Sequence, residues 1–584
     1  MKKRLLALFL ALLTLLLCAC GGSGGQSVVT EPHEHVFDQR NTDEKYLRSL
    51  ATCKSTNRYY LSCTCGEKGT ATFGDGEKLP HDFTDKKEGK STFAYEATCT
   101  RGALYYLSCS TCGKASDILT FEAGAPKPHN YSVSRPDGRY IKTEATASAP
   151  ATYYKSCACG DKGTEVFTYG EALRTYTEAE KAALAPESVT VTLYDSKELI
   201  YGFTCNSAGQ PLRPVIELTG GGKTISAPAK VDKYTSYDNG DKVVTYYVMK
   251  FEVKLEPNTE YTYRIYDKYA QTEGVSDSIK TVKAEAESFT FVHIGDTQTS
   301  GGVGGTIFGK LLDDILIKND FIVHTGDFVE WSKYEYEWRA MLHDNFGKVN
   351  KLPIMAVAGN HDTSYQNGKH ETYKHFNYSI PEQDTEKGFF YSFEYGNAKF
   401  VMVNTNDLSG NKLRADQYGW LVNELASNTK DWLIVALHNP LYSPGPWGSD
   451  PKRNGITLAL REQLADLFAE YGVDIVLQGH DHVVSRTAPI GKDGELLEET
   501  VKKENAADYV VDPKGVIYVM SGVAGNHYRS VTEIDRHTYK ILLNTDTQYW
   551  SEITVEGNRL TVVLKRMDGG KAVAFKKWGI EKTL

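Results

Sequence analysis

Pro353-Ile354-Met355-Ala356-Val357-Ala358-Gly359-Asn360-His361-Asp362 is the stretch that decides the fold of the second half of the chain. It opens with a short apolar run bounded by Pro and Gly, which predicts a buried β-strand. An amide and an imidazole therefore leave the sheet side by side at a strand end, where loops on a rigid scaffold carry functional groups. Taken alone, the four polar residues are also compatible with a turn that exposes its side chains to solvent.

Four further apolar runs in this half of the chain also end in polar residues. They lead into Gly295-Asp296-Thr297-Gln298, Thr325-Gly326-Asp327, His438-Asn439-Pro440 and Gly479-His480-Asp481-His482. Helical patterns such as Leu458 to Tyr471 lie between several of the runs, and this alternation predicts a mostly parallel sheet covered by helices. Because ligands bind at the carboxyl ends of such strands, we expect the five polar strand ends to meet at one rim.

The residue types at this rim are those of metal ligands. Two carboxylates, one amide and three imidazoles, with no thiolate, suit Mn, Fe, Zn or similar ions, and so many ligands serve two ions better than one. Paired ions roughly 3.5–4 Å apart promote phosphoester cleavage by lowering the pKa of a bound water and clamping phosphate oxygens. A single histidine of this kind is more often packed or solvated, so the prediction depends on all five strand ends in order.

This order of motifs resembles the calcineurin-like metallophosphoesterases over about residues 287–530. The resemblance implies an α/β domain built as a four-layer α/β/β/α sandwich, which binds two metal ions (Fe, Mn, Zn or Ca) and hydrolyses phosphate esters by attack of a metal-held hydroxide. It also implies a role for each residue. Asp327 would bridge both metals, Asp296 and His482 would hold the first, Asn360, His438 and His480 would hold the second, and His361 would be the general acid.

Two positions depart from the family pattern. Gln298 stands where most of the family has a histidine, so it either coordinates the first metal through its carbonyl oxygen or does not bind. Glu330 stands where the purple acid phosphatase branch has a tyrosine ligand. We predict that Glu330 orients His361, since a catalytic acid needs an orienting group. The alternative, that Glu330 is an exposed loop glutamate without a role in the site, accounts for a glutamate at this position about as well.

The first 30 residues predict export. Residues 1–19 combine a basic start with an apolar run from Leu5 to Leu17, which is too short for a mature membrane helix and has the length of a signal sequence. Leu17-Cys18-Ala19-Cys20 resembles a bacterial lipobox, which implies lipid attachment at Cys20 and a membrane-anchored, extracellular protein. Secretion without an anchor is the alternative. Residues 20–30 are rich in Gly and Ser and are expected to form a flexible tether.

Residues 31–172 contain three Cys/His repeats, which we interpret as zinc-ribbon-like modules. In the first two repeats one histidine and three cysteines form a Cys₃His zinc pattern within the repeat. The two predicted sets are His35, Cys53, Cys63, Cys65 and His81, Cys99, Cys109, Cys112. The third repeat has Ala147 at one cysteine position and so keeps three ligands. Disulfides are the alternative outside the cell, but three cysteines cannot pair completely within one repeat.

The remaining chain divides into a linker and two larger domains. Residues 173–186 are the linker, and residues 187–286 read as alternating short strands, which predicts a β-sandwich. Part of it resembles the fibronectin-like domain that precedes the catalytic domain of purple acid phosphatases. Residues 287–584 are predicted to be the catalytic domain, completed by C-terminal strands. The repeats are similar to those of bacterial surface proteins, which implies spacing or contacts with the cell surface or wall.

Composition and charge restrict the function further. The formal net charge of −9 argues against nucleic-acid binding, which needs a basic face. We expect a surface-anchored phosphomonoesterase of the acid phosphatase type, with a phosphate ester as substrate and the membrane as partner through the lipid. Two alternatives stay open: a phosphodiesterase or nucleotidase, and a surface adhesin whose phosphoesterase domain has lost activity. Gln298 is the one feature that favours loss of activity.

Overall fold

The computed structural model describes residues 34–237, 242–284, 286–299, 303–363, 374–384, 389–532 and 535–583. The chain forms two compact units, Met1–Thr92 with Leu107–Ser116, and Phe93–Tyr106 with Asp117–Leu584. The signal sequence, the tether and Cys20 lie outside the described residues, so their assignments stay predictions. Within the described ranges, no helix has both the length and the apolar character needed to cross a membrane.

Short strands build the three repeats. They are β1 (Leu47–Ser49), β2 (Asn57–Ser62), β3 (Lys68–Asp75), β4 (Phe83–Asp85), β5 (Phe93–Tyr95), β6 (Ala103–Cys109), β7 (Ala115–Ala123), β8 (Ile141–Thr143), β9 (Ala151–Ser156) and β10 (Lys162–Tyr169). Strands β1-β2-β3 form one antiparallel sheet, and β8-β9-β10 form another. The buried core of the third repeat consists of Ala145, Ala151 and Tyr153. A module with so small a core needs an additional cross-link such as a metal or a disulfide.

The ligands of the repeats are grouped differently from the prediction. Cys53 lies with ligands of the second repeat (His81, Cys109, Cys112), and Cys99 lies with ligands of the third (His129, Cys157, Cys159). His35, Cys63 and Cys65 form a group of three. The prediction that each site takes its four ligands from one repeat is therefore wrong. The reason is a backbone hydrogen bond from Leu79 N to Thr52 O (3.1 Å), which brings the chain that leads to His81 alongside the turn carrying Cys53.

Residues 187–280 form two four-stranded antiparallel sheets. The strands are β11 (Glu187–Asp195), β12 (Ile200–Ser207), β13 (Pro214–Gly220), β14 (Lys223–Pro228), β15 (Lys230–Tyr237), β16 (Val243–Lys254), β17 (Glu260–Asp267) and β18 (Val275–Lys280). Their orders are β11-β12-β16-β15 and β14-β13-β17-β18. Phe203 of one sheet meets Tyr263 of the other with ring centroids 5.3 Å apart. A short helix, α1 (Glu178–Ala183), precedes the sheets, and Thr177 and Glu180 form its capping box.

The second half of the chain contains seventeen described strands and five described α-helices, which form the domain that the sequence predicts to be catalytic. The strands are β19 (Ser288–Ile294), β20 (Phe321–His324), β21 (Ile354–Ala356), β22 (Tyr391–Tyr395), β23 (Ala398–Val403), β24 (Leu408–Ser409), β25 (Lys412–Leu413), β26 (Trp432–Leu437), β27 (Ile475–Gln478), β28 (Val484–Thr487), β29 (Thr500–Glu504), β30 (Ala507–Val511), β31 (Ile517–Ser521), β32 (Tyr539–Leu543), β33 (Tyr549–Glu556), β34 (Arg559–Asp568) and β35 (Lys571–Glu581). The helices are α2 (Gly304–Ile315), α3 (Glu335–Leu342), α4 (Ala415–Ala426), α5 (Pro446–Ser449) and α6 (Gly455–Glu470).

Two large mixed sheets form the centre of this domain. Their orders are β21-β20-β19-β33-β34-β35-β30-β29 and β22-β23-β26-β27-β31-β28-β32. Phe291 of the first meets Phe400 of the second edge to face, with centroids 5.2 Å apart, so the main core lies between the sheets. Helices α4 and α6 bury Leu421 and Leu464 in a second core with β23, β26 and β27. The prediction of a multidomain chain with an α/β domain in its second half is confirmed.

Candidate metal centre

Five parallel strands of the catalytic domain lead into the predicted ligands. Asp296 and Gln298 follow β19, Asp327 follows β20, Asn360 and His361 follow β21, His438 follows β26, and His480 and His482 follow β27. Strands β19, β20 and β21 are neighbours in one sheet, and β26 and β27 are neighbours in the other. The carboxyl ends of the parallel strands in both sheets therefore converge on one site.

Tight backbone turns direct these side chains into the site. Asp296, Asp327, His480 and His482 have φ values from 55° to 73°. Residues other than glycine rarely adopt this region, and each such residue costs on the order of 1–3 kcal/mol. A Cβ atom on Gly359 would lie 2.1 Å from Asp327 Oδ1, so only glycine permits this close approach. These turns lower the stability of the folded chain, and such local strain is typical of functional sites.

The ligand atoms form two groups that share Asp327. The groups are Asp327, His438, His480 and Asp296, Asp327, His482, and the ligand atoms of each lie within 4.8 Å of one another. Asn360 Oδ1 lies 3.0 Å from His438 Nε2 and so adjoins the first group. All six predicted ligands other than Gln298 are thus brought together. One carboxylate common to two ligand groups is the arrangement expected when it bridges two ions.

Backbone carbonyls orient two of the histidines. His438 Nδ1 donates to the carbonyl of Thr325 at 2.7 Å, and His482 Nδ1 donates to the carbonyl of His527 at 2.6 Å. The Nε2 atoms consequently face the carboxylates, His438 at 3.3 Å from Asp327 and His482 at 3.3 Å from Asp296. Histidines that bind metal usually donate their second ring N–H in this way, which fixes both tautomer and orientation.

Burial and neighbouring charge set the protonation of the centre. Burial raises the pKa of Asp327, but the charge of His438 outweighs it, and the pKa falls well below the usual range. Burial lowers the pKa of His438, but Asp327 raises it to about 9. Burial and the adjacent His438 hold the pKa of His480 well below its ordinary value. Asp327 is therefore ionised and His480 neutral, the forms in which each binds a metal, whereas His438 would have to lose a proton to do so.

Unsatisfied buried atoms show that the residues fit metal ions. His482 Nε2 and Gln298 Oε1 are buried and accept or donate no hydrogen bond within the described residues. Such atoms normally have a partner, and a metal ion would supply one. Gln298 is almost fully buried, and its Nε2 lies 3.2 Å from Asp327 Oδ2. The side-chain amide thus faces the centre, while its role as a ligand stays a prediction.

His361 lies beside the centre but belongs to neither ligand group. Its backbone N–H donates to Asp327 Oδ1 at 2.8 Å, and its ring Nδ1 donates to the backbone carbonyl of Glu330 at 2.8 Å. The Glu330 carboxylate is 3.9 Å from that nitrogen and lies 3.0 Å from His527 Nε2. Glu330 therefore contacts His361 as expected, but through its main chain and not chiefly through its carboxylate.

Charge around His361 favours its protonated form. Burial lowers the pKa of His361, but Asp327 and then Glu330 raise it, and the net shift is upward. Positive metal ions at the centre would offset the Asp327 charge and bring this pKa down again. The side chain is 21% exposed, so part of the ring is accessible to a substrate.

Two buried aspartates complete the site, although the motifs give them no role. Asp362 accepts hydrogen bonds from Phe328 N at 2.8 Å and Gly359 N at 2.9 Å, and so ties together the loops after β20 and β21. Burial raises the pKa of Asp362 to about 6. Asp481 accepts from the Ser443 hydroxyl at 2.5 Å and holds the loop between His480 and His482. Both aspartates belong to the sequence motifs that contain the predicted ligands, so their position in those motifs could have identified them as site residues.

Residues 289–484 match the family model of the calcineurin-like phosphoesterases. The match spans every ligand position from Asp296 to His482. This part of the chain is therefore a calcineurin-like phosphoesterase domain. The prediction of that family is confirmed.

Individual relatives belong to the purple and acid phosphatases. Purple acid phosphatase 15 of Arabidopsis thaliana is 28% identical over 191 residues, which are 32% of this chain and 32% of that protein. Acid phosphatase type 7 of Mus musculus is 26% identical over 225 residues, which are 35% of this chain and 48% of that protein. The chain thus covers less than half the length of these two relatives.

A solved structure shows the same likeness of fold. The purple acid phosphatase PPD1 from seeds of yellow lupin (Lupinus luteus) superposes with a TM-score of 0.56 at 18% sequence identity. The superposition covers 74% of this chain and 80% of that chain. It therefore extends well beyond residues 289–484 and shows a likeness of fold over that larger part of the chain.

Proposed function

We propose that the protein is a phosphomonoesterase that uses two metal ions and takes His361 as its general acid. The observation that carries the proposal is the position of Asp327. It belongs to both ligand groups, and its Oδ1 accepts a hydrogen bond from the backbone of His361. A proton donor is thus fixed next to the bridging carboxylate without being a ligand itself. The presence of acid phosphatases among the relatives supports a monoester substrate for this protein.

The residues divide the chemistry between them. Two bound ions would lower the pKa of a water and neutralise charge on the phosphate oxygens. Asp327 would contribute one carboxylate to both ions, with Asp296 and His482 at the first and Asn360, His438 and His480 at the second. Because the Glu330 carbonyl occupies Nδ1 of His361, the proton for the leaving oxygen resides on Nε2.

A cavity beside the centre offers space for the organic part of a substrate. Its volume is about 490 Å³, and Gln298, Glu330, Trp331, Tyr336 and Met341 are among the residues that line it. Trp331 is 41% exposed, which is unusual for so large an apolar side chain. The aromatic wall begins next to the residue that orients His361, so we assign it to the leaving-group side of the phosphate.

We further propose that the protein is exported and anchored by a lipid on Cys20. The support is the sequence pattern of residues 1–19, with the Gly/Ser tether behind it and the repeats as spacer or surface-contact modules. Residues 187–286 would then be the fibronectin-like domain of the purple acid phosphatases. Mass spectrometry of the mature N-terminus tests the anchor: a diacylated Cys20 supports it, whereas an unmodified N-terminus supports simple secretion.

The activity is tested with a matched pair of substrates. Metal-free protein is reloaded separately with Mn, Zn, Fe or Ca, and turnover of nitrophenyl phosphate is compared with that of bis(nitrophenyl) phosphate. We expect the monoester to have the higher kcat/KM. A preference for the diester would establish the phosphodiesterase alternative. Absence of turnover with every metal would contradict the proposal and favour the alternative in which the phosphoesterase domain has lost activity.

A further inference from the structure

The repeats contain two complete sets of metal ligands outside the catalytic domain. The first inter-repeat site comprises Cys53, His81, Cys109 and Cys112, and the second comprises Cys99, His129, Cys157 and Cys159. Each takes one cysteine from one repeat and the other three ligands from the next. We propose that each inter-repeat site binds one zinc ion and so cross-links consecutive repeats.

The distances between ligand atoms fit a tetrahedral zinc site. Zinc bonds of about 2.3 Å to sulfur and 2.0–2.1 Å to nitrogen place two sulfurs about 3.8 Å apart and a sulfur and nitrogen about 3.6 Å apart. In the first site, Cys53 and Cys109 Sγ are 3.7 Å apart, and Cys112 Sγ is 3.3 Å from His81 Nδ1. In the second, the corresponding separations are 3.4 and 3.3 Å.

Local backbone geometry prepares the cysteine pairs for ligation. In the second repeat, Gly113 N donates to Cys109 O at 2.8 Å, and in the third, Gly160 N donates to Cys157 O at 2.9 Å. Both glycines have positive φ, 73° and 93°, which glycine adopts without strain. Each pair of cysteines is thereby held on a tight turn before any metal binds.

The same backbone contact assembles both sites. Leu79 N donates to Thr52 O, the residue before Cys53, and His81 follows two residues after Leu79. Lys127 N donates to Thr98 O at 2.7 Å, the residue before Cys99, and His129 follows two residues after Lys127. The contact therefore places a cysteine of one repeat next to the histidine of the following repeat in both cases.

The end of the array supplies an internal control. The contact occurs a third time, from Leu173 N to Thr146 O at 2.8 Å. The cysteine position is now Ala147 and the histidine position is Thr175. Both ligands are replaced together at the one junction after which no further cysteine pair follows in the sequence. The absence of a cysteine at position 147 thus follows from its place in the array, because a cysteine there would bind a metal together with ligands of a fourth repeat.

Two histidine variants distinguish the inter-repeat sites from sites within single repeats. The full-length protein is loaded with Co²⁺, desalted and measured for thiolate-to-cobalt charge transfer, to which the thiolate-free catalytic centre cannot contribute. We expect His129→Ala to lower this band by about half, because it removes one of two closed four-ligand sites. His35→Ala, the matched control, should leave it unchanged, since the group of His35, Cys63 and Cys65 loses its weakly held ion on desalting.

Three results would overturn the proposal. Loss of the band in His35→Ala but not in His129→Ala would restore sites within single repeats. A wild-type protein without thiolate-bound metal, and with a mass lower by two hydrogens for each cysteine pair, would mean disulfides. His129→Cys keeps a zinc-binding side chain, and circular dichroism reports whether each variant is folded. A folded His129→Cys protein that fails to recover the band would show that residue 129 does not bind the metal.

Discussion

The catalytic centre and the inter-repeat sites both collect ligands from distant parts of the chain, but they do so on different scaffolds. The ligands of the catalytic centre stand at the ends of strands in two large sheets, and Asp296, Asp327 and His438 are almost fully buried. The inter-repeat ligands stand on turns of modules with very small cores, and Cys159 is exposed. One set consists of oxygen and imidazole ligands, and the other is dominated by thiolates.

This difference indicates what metal binding would do in each region. The core between the two catalytic sheets is extensive and includes Phe291, Phe400 and Trp550, so we expect that scaffold to fold without the ions. Metal ions there would supply chemistry. The repeats bury too little apolar surface to fold on that basis alone, so the free energy of metal binding at the proposed sites would become free energy of folding. Metal ions there would supply structure.

Replacing the shared carboxylate should have the largest effect. Asp327→Asn removes the ligand charge common to both groups, so we expect loss of both ions and of activity. The fall in kcat/KM should exceed the roughly 10²–10⁴-fold contribution of a general acid. Steady-state kinetics and metal analysis measure it, with the exposed Asp568→Asn as control. Substantial activity in the Asp327 variant would contradict the bridging role, and thiolate-bound cobalt in the repeats should be unaffected.

The general acid is the next largest contribution. His361→Asn should keep both ions and lower turnover of an alkyl phosphate by roughly 10²–10⁴-fold, because the leaving oxygen then departs without a proton. The loss should be smaller for nitrophenyl phosphate, whose leaving group needs little protonation. His343→Asn, at the end of α3, is a suitable control. If the His361 variant lost metal, that residue would be a ligand and the assigned role would be wrong.

A moderate effect is expected at Glu330. Glu330→Gln leaves the main-chain carbonyl that orients His361 in place. Substitutions of residues that orient metal ligands typically lower activity by roughly 10–100-fold, and we expect a decrease in kcat/KM at or below the lower end of that range. The His527 contact is the one that changes, because the carboxylate that faces it becomes neutral. A decrease as large as that of His361→Asn would mean that the carboxylate, rather than the carbonyl, positions the acid.

The smallest expected signal is optical. Purple acid phosphatases owe their colour to a tyrosinate bound to iron, and Glu330 occupies the corresponding position here. The iron-loaded protein should therefore show no tyrosinate charge-transfer band in the visible range. Absorption spectra before and after iron loading decide this, with Glu330→Tyr as the variant that could create the band. A strong band in the unmodified protein would refute the prediction.

The catalytic ligands could be read from the sequence because each motif sits next to an apolar strand. Strand ends of a parallel sheet meet at one edge, so the order of Asp296, Asp327, Asn360, His438 and His480 was enough to predict a common site. The contacts of Glu330 could not be read in this way. Whether its carbonyl or its carboxylate faces His361 depends on the direction of one loop, which sequence spacing does not specify.

The repeats show the opposite balance. The sequence determined their number, their period and the identity of every potential ligand, since these are properties of the letters alone. It did not determine which ligands meet, because a period is unchanged when the grouping is shifted by one cysteine. The tertiary structure decided that grouping through the backbone contacts of Thr52 and Thr98 with the entry to the next repeat. Proximity between repeats depends on chain direction in space, and only the folded chain contains that information.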